Sequence, residues 1–310
     1  MFVQLISRGR AILTSGAGTL GLLAACSDST GPAHRTPSEP RLSSPPTAAS
    51  AATLVPCCDN IVFRRDSNFT TRLQTINADG TGLKKLPVSG SNPSWSPDHS
   101  KIVFEIGRIA IVNADGSGLR VLSDVEGDHS PSFTPDGQRI LFVHDAAKQS
   151  DILIMNLDGS NRQVMLKTPT TSEWAPRFSP DGKKLAYMRT RKNATELVVL
   201  DLTTNVHTVV AAPVNRFGSE SWSPDSKRLA FSAGFSSVGC TIAIVDAIGT
   251  NRKNFPSGAA GCFHPTWSPD GTELAFTAGN ALFRGKVDVA STPTRITLTP
   301  NVIELQPVWQ

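Results

Sequence analysis

The chain has 310 residues, of which 39% are apolar and 18% charged, and its 30 Lys and Arg stand against 26 Asp and Glu for a formal charge of +4. That length and apolar fraction suit one large domain with a core of its own. The mild charge, without a basic face or stripe, excludes nucleic acid as a partner.

The chain opens with Met1-Phe2-Val3, places Arg8 and Arg10 ahead of an apolar stretch from Ala11 to Ala25, and then reads Leu23-Ala24-Ala25-Cys26. A basic head, a short apolar region and small residues before a cut predict a secretory signal over 1–25. The apolar part is shorter than the roughly 20 residues a membrane-spanning helix needs. Leu-Ala-Ala-Cys resembles a bacterial lipobox, which makes Cys26 the lipidated first residue of a mature chain held to a membrane by acyl chains alone. Ser27 after it resembles the pattern exported to an outer membrane. The alternative is an ordinary signal peptide with an incidental cysteine. Residues 26–58 then turn to Ser, Pro, Thr and Ala, too poor in large apolar side chains to offset the entropy of ordering, and predict a disordered tether.

From residue 59 a sentence repeats. Pro93-Ser94-Trp95-Ser96-Pro97-Asp98 returns around Phe133, Phe178, Trp222 and Trp267, and its fragment Pro307-Val308-Trp309 closes the chain. A period near 40 residues predicts a repeat architecture. Nine residues after each of the first five rings comes another, at Phe104, Phe142, Tyr187, Phe231 and Phe276. That offset holds a strand, a Ser-Pro-Asp-Gly turn and a second strand, with Pro presetting φ and Asp bonding nearby backbone. Apolar β-branched runs such as Ile109–Val112 and Ile152–Met155 give third strands, and Asn-Ala-Asp-Gly turns lead to polar fourth strands. Each repeat is thus a blade, and the fold class is all-β, a six-bladed β-propeller over 59–310.

Proline on the first strand fits the innermost place, where no inner ladder is lost, and Glu220 breaks that pattern in one blade. Asn60–Phe63 reads as a second strand without an aromatic first strand before it, so the C-terminal Pro307-Val308-Trp309 is expected to complete the N-terminal blade. Leu54-Val55-Pro56 is the competing candidate.

Pro-x-Trp-Ser-Pro-Asp-Gly, Lys/Arg-(Ile/Leu)-(Val/Ala/Leu)-Phe and Asn-Ala-Asp-Gly resemble the TolB-type β-propeller repeat family over about Asp59 to Gln310. The resemblance implies a periplasmic, protein-binding module with envelope partners, including a peptidoglycan-associated lipoprotein. TolB itself carries an α/β domain ahead of its propeller, where this chain has the Ser- and Pro-rich segment.

The two short turns of each blade fall on one rim and the longer connections on the other, where recognition is expected. The candidate partner-binding residues there are His129, Glu173, Trp174, Arg216 and His264, with Asp128, Asn215, Phe263 and Glu304 beside them. Arg64, Arg65, Lys148, Arg189, Arg191 and Lys192 read as solvated loop charges on the same rim. A ligand- or metal-binding use of the channel mouth, gathering His129, Glu173, Arg216 and His264, is the alternative. No catalytic motif, cofactor motif or metal-ligand spacing is present, and the repeated Asp98, Asp136, Asp181, Asp225 and Asp270 read as turn formers. Cys240 and Cys262 lie in loops of one rim, and a disulfide between them would close 22 residues of chain and stabilise by about 3 kcal/mol. The adjacent Cys57 and Cys58 form a strained vicinal disulfide or stay unpaired.

Overall fold

The computed structural model describes residues 60–309 except 68–69, 147–148, 169–170, 192–193, 216–218, 237–238, 258–261, 290 and 299–301. The signal, Cys26, the tether, Leu54–Pro56, Cys57 and Cys58 lie outside the described residues. Those described form strands and turns. Blade 1 holds β1 (Asn60–Ser67), β2 (Thr70–Asn77) and β3 (Lys84–Lys85), and blade 2 holds β4 (Ser91–Trp95), β5 (Lys101–Glu105), β6 (Ile109–Asn113) and β7 (Arg120–Val121). Blade 3 is β8 (Asp128–Phe133), β9 (Arg139–Asp145), β10 (Ser150–Asn156) and β11 (Gln163–Leu166). Blade 4 is β12 (Ser172–Phe178), β13 (Lys184–Arg191), β14 (Ala194–Asp201) and β15 (Val206–Ala211). Blade 5 is β16 (Glu220–Trp222), β17 (Arg228–Ser236), β18 (Gly239–Asp246) and β19 (Lys253–Phe255). Blade 6 is β20 (Cys262–Trp267), β21 (Glu273–Ala278), β22 (Ala281–Lys286) and β23 (Thr294–Arg295), and the final strand is β24 (Ile303–Trp309).

Six four-stranded antiparallel sheets result, and blade 1 has the order β24-β1-β2-β3. The C-terminal strand therefore fills the N-terminal blade, with Trp309 opposite Ile61 and Val308 opposite Val62. The repeated second-strand rings Phe63, Phe104, Phe142, Tyr187, Phe231 and Phe276 are all fully buried. Six apolar clusters lie at the blade junctions. One joins Val62 and Leu73 of blade 1 to Trp95 and Phe104 of blade 2. Another closes the circle by joining Ala275 and Leu282 of blade 6 to Phe63 and Trp309.

The turns follow their sequence. In each Ser/Thr-Pro-Asp turn the hydroxyl donates to the carboxylate, as from Ser96 to Asp98 at 2.6 Å and from Ser268 to Asp270 at 2.6 Å. The same carboxylate accepts the backbone N–H two residues on, as from Ser100 at 3.1 Å. The Ser96 hydroxyl, with the Ser100 donors, lowers the Asp98 carboxyl to about 2. These aspartates are turn formers fixed as anions. On the third-to-fourth strand turn, Gly159 has φ +88 and a Cβ there would sit 2.0 Å from the Leu122 carbonyl oxygen of the preceding blade. Glycine is needed both for the left-handed backbone and for the close approach.

Candidate functional site

The proline of the innermost strand decides the shape of the channel. In β4, β8, β12, β20 and β24 the residue before it has positive φ: Asn92 at 48°, Ser130 at 52°, Ala175 at 49°, His264 at 52° and Gln306 at 55°. At each of these places the ladder skips, for example between His129 and Ser132. Two residues thus stand opposite one, a bulge that bends the strand and leaves its extra residue free of the ladder. One residue earlier, in matching register, come Ser91, His129, Trp174, Phe263 and Leu305, all half-buried. Polar contacts link three blades near this end. Asn92 and Gln306 bond one another through the Asn92 N–H at 2.8 Å and the Gln306 amide at 2.5 Å. Glu105 accepts from the Asn92 amide at 2.7 Å and from the Ser130 N–H at 3.2 Å.

The expected rim residues divide. His129 is half-buried, with Nε2 at 3.2 Å from Asp145 and Nδ1 at 3.1 Å from the Ser130 hydroxyl. Trp174 packs part-buried on the cluster joining blades 4 and 5. His264 stands at the bulge of β20, and burial, helped by Arg64, lowers its imidazole to about 4, so it is neutral at pH 7. Glu173, by contrast, is fully buried and accepts from the hydroxyls of Thr168 and Thr171, the latter at 2.6 Å. Its place three residues before the strand proline turns it into the blade, away from solvent. The equivalent Asp128 is buried too, held by both arms of Arg162 at 2.5 and 3.0 Å and by His144 at 2.8 Å. Burial alone would raise the Asp128 carboxyl, but Arg162, Ser123 and His144 bring it below its ordinary value. Glu304, the third residue of this set, is buried with Arg65 Nε at 3.9 Å. Acidic side chains at this register are internal struts. Arg216 lies outside the described residues, and so does the side chain of Cys240. Arg64, Arg65 and Arg189 sit in strands, not loops, and are paired: Arg64 with Asp66 at 2.6 Å, Arg65 with Gln74 at 3.0 Å and Arg189 with Glu196 at 2.7 Å. Lys148 and Lys192 lie outside the described residues, and Arg191 is exposed at the end of β13.

The channel holds a cavity of about 370 Å³ at the opposite end, among the innermost strands and the Ser-Pro-Asp turns. Its walls include Trp95, Trp222, Trp267 and Trp309, and its charged lining residues are Arg177 and Glu220. In blade 5, where Glu220 replaces the proline, the ladder runs without a skip through Glu220, Ser221 and Trp222. Glu220 is 3% exposed and neither carboxylate oxygen has a hydrogen-bond partner. Burial pushes its carboxyl up to about 8, with Arg177 opposing. Arg177 gives one N–H to the Pro176 carbonyl at 2.9 Å, and burial lowers its guanidinium from the ordinary value. Sequence reasoning singled out Glu220 as a break in pattern but not as a cavity residue. Arg177 gave no signal beyond replacing the Ser or Thr found at that step in β4, β8, β16 and β20. Among the described residues no group of three or more His, Cys, Asp and Glu is placed to hold a metal ion.

Comparison with known proteins adds to this geometry. The TolB beta propeller domain family matches residues 146–282. The chain is similar to TolB from Acinetobacter baumannii, with 23% identity and a TM-score of 0.66, covering 81% of this chain and 66% of that one. It thus spans about two thirds of that protein's length. It also resembles a putative TolB from Agrobacterium tumefaciens, with 15% identity and a TM-score of 0.63, covering 81% of this chain and 98% of that one. An oligogalacturonate lyase in complex with manganese shares the fold more distantly, at 16% identity and a TM-score of 0.51, covering 77% of this chain and 73% of that one. No curated protein matches the chain. With six blades closed by the last strand, the chain is a six-bladed β-propeller that resembles the TolB beta propeller domain family over residues 146–282.

Proposed function

We propose that the chain is a lipid-anchored, periplasm-facing envelope protein whose propeller docks protein partners on its long-connection rim. The observation that carries this reading is the half-buried set His129, Trp174, Phe263 and Leu305, placed in one register near the start of the innermost strands. Large, partly exposed side chains presented by rigid strands are what a docking surface needs. The family resemblance supports envelope partners, including a peptidoglycan-associated lipoprotein; the lipobox-like Leu23–Cys26 supports the anchor, and Ser27 supports an outer-membrane address. The segment 26–58 then serves as the tether, and 59–310 as the binding domain.

We also propose that Cys262 pairs with Cys240. Cys262 is fully buried and carries a bridged sulfur, and Cys240 is the second residue of the third strand of the preceding blade, on the same rim.

One experiment tests docking and anchoring together. A photo-crosslinking residue replaces Trp174, or Val164 on an outer strand as control, in cells that are afterwards fractionated. Adducts with an envelope protein should form from position 174 alone, in the membrane fraction, and Cys26→Ala should move the protein to the soluble fraction. Equal labelling from both positions, or no adduct from either, contradicts the docking reading; an unchanged membrane fraction for Cys26→Ala contradicts the anchor.

A further inference from the structure

The channel cavity lies at the turn rim and does not include the residues proposed above for docking. Its volume of about 370 Å³ falls in the range of small-ligand pockets, about 300–1,000 Å³. Its apolar lining includes the edges of four indoles, each 3–7% exposed, and Pro180, Pro224 and Pro269 of the Ser-Pro-Asp turns. Ser94, Ser219, Ser221, Thr266 and Ser268 also line it, and its two charged groups are Arg177 and Glu220. Arg177 has five N–H donors and gives one to Pro176. Glu220 is buried, lines the cavity, and has no partner for either oxygen. No ion pair joins the two. Glu220 is thus desolvated and Arg177 half-buried, both with unused bonding capacity facing one space, a cost that proteins keep where a ligand repays it.

We propose that this cavity binds a small organic carboxylate, an aliphatic or aromatic body ending in one carboxylate held between Arg177 and Glu220. The chemistry selects the charge. A guanidinium stays cationic at neutral pH, whereas a carboxyl buried without donors holds its proton. The site then carries one uncompensated positive charge beside an O–H donor. A carboxylate accepts from both: from Arg177 through charge-assisted bonds, and from the Glu220 carboxyl through its proton. An amine would meet the guanidinium's charge, and a neutral amide would leave that charge uncompensated. The body of the ligand would displace water from the exposed apolar part of the lining, a gain of about 25 cal/mol for each Å² of apolar surface.

Three probes of equal length separate these cases on the mature wild-type protein: hexanoate, hexanamide and hexylamine, followed by tryptophan fluorescence and by calorimetry. Hexanoate should bind saturably and about tenfold or more tightly than hexanamide, the ratio expected from one charge-assisted bond. Hexylamine should not bind. Arg177→Met should weaken hexanoate by about tenfold or more with an unchanged far-UV spectrum, consistent with loss of that same bond. Absence of saturable binding, preference for hexylamine, or an Arg177→Met protein that folds and binds hexanoate as wild type would overturn the proposal. If Arg177→Met fails to fold, the ranking of the three probes on wild type decides alone.

Discussion

Glu220 shows how one side chain can change its blade. The other five innermost strands carry proline at this step and bulge, with a left-handed residue before it. Blade 5 carries Glu220, pairs it regularly with Phe231, and places a carboxyl in the channel. Burial raises that carboxyl from 4.5 to about 8. Between those values the folded chain holds a proton that the unfolded chain has released. The stability this site contributes is therefore fully present below pH 4.5 and is lost as pH rises through about 8. Glu220→Gln has no such proton to lose. Thermal midpoints taken near pH 5, 7 and 9 should fall more steeply for wild type than for the variant, and each kcal/mol should move the midpoint by about 2–4 °C. Parallel curves would show that Glu220 titrates normally. That Glu220 departs from the repeat was plain in the sequence, because the five other copies have proline there and it does not. That it shares one cavity with Arg177 was not, since the two come together only when blades 4 and 5 pack on one another. The same limit explains Glu173: its type and its place near a connection suggested a rim, but the side-chain direction at that register turns it inward onto Thr168 and Thr171.

At the scale of the element, strand and turn chemistry were legible almost throughout. Short apolar, β-branched runs and the repeated ring gave the second and third strands, and Ser-Pro-Asp-Gly gave the turns, because each depends on residues a few positions apart. The bulges were not legible, since a proline preceded by Asn, Ser, Ala, His or Gln does not announce a left-handed residue. Contacts between elements need a different test. The proposed Cys240–Cys262 bond would tie the β17–β18 hairpin of blade 5 to the first strand of blade 6. Peptide mapping of the unreduced protein should join the two cysteine peptides, and Cys240→Ser should cost about 3 kcal/mol in unfolding free energy. A map that instead joins Cys262 to Cys57 or Cys58 would move the tie to the start of the propeller.

The whole molecule depends on closure. Every junction buries an apolar cluster between consecutive blades, and at the junction of blades 6 and 1 β24 adds Trp309 to the cluster that holds Phe63 and Ala275. The missing first strand at residue 60 and the stray Pro-x-Trp at the end made this arrangement readable without coordinates, because a ring must balance its strands. The functional half was less legible: a scaffold of this kind hosts many activities, and its sites are set by single departures from the repeat. Both the rim and the channel exist only in a closed ring, so closure is the claim to test first. The direct measurement is the unfolding transition of a chain ending at residue 301, alone and with a peptide of residues 302–310 added. Closure by β24 predicts that the shortened chain loses its cooperative transition and that the peptide restores it. A midpoint and cooperativity equal to those of the full chain would contradict the account.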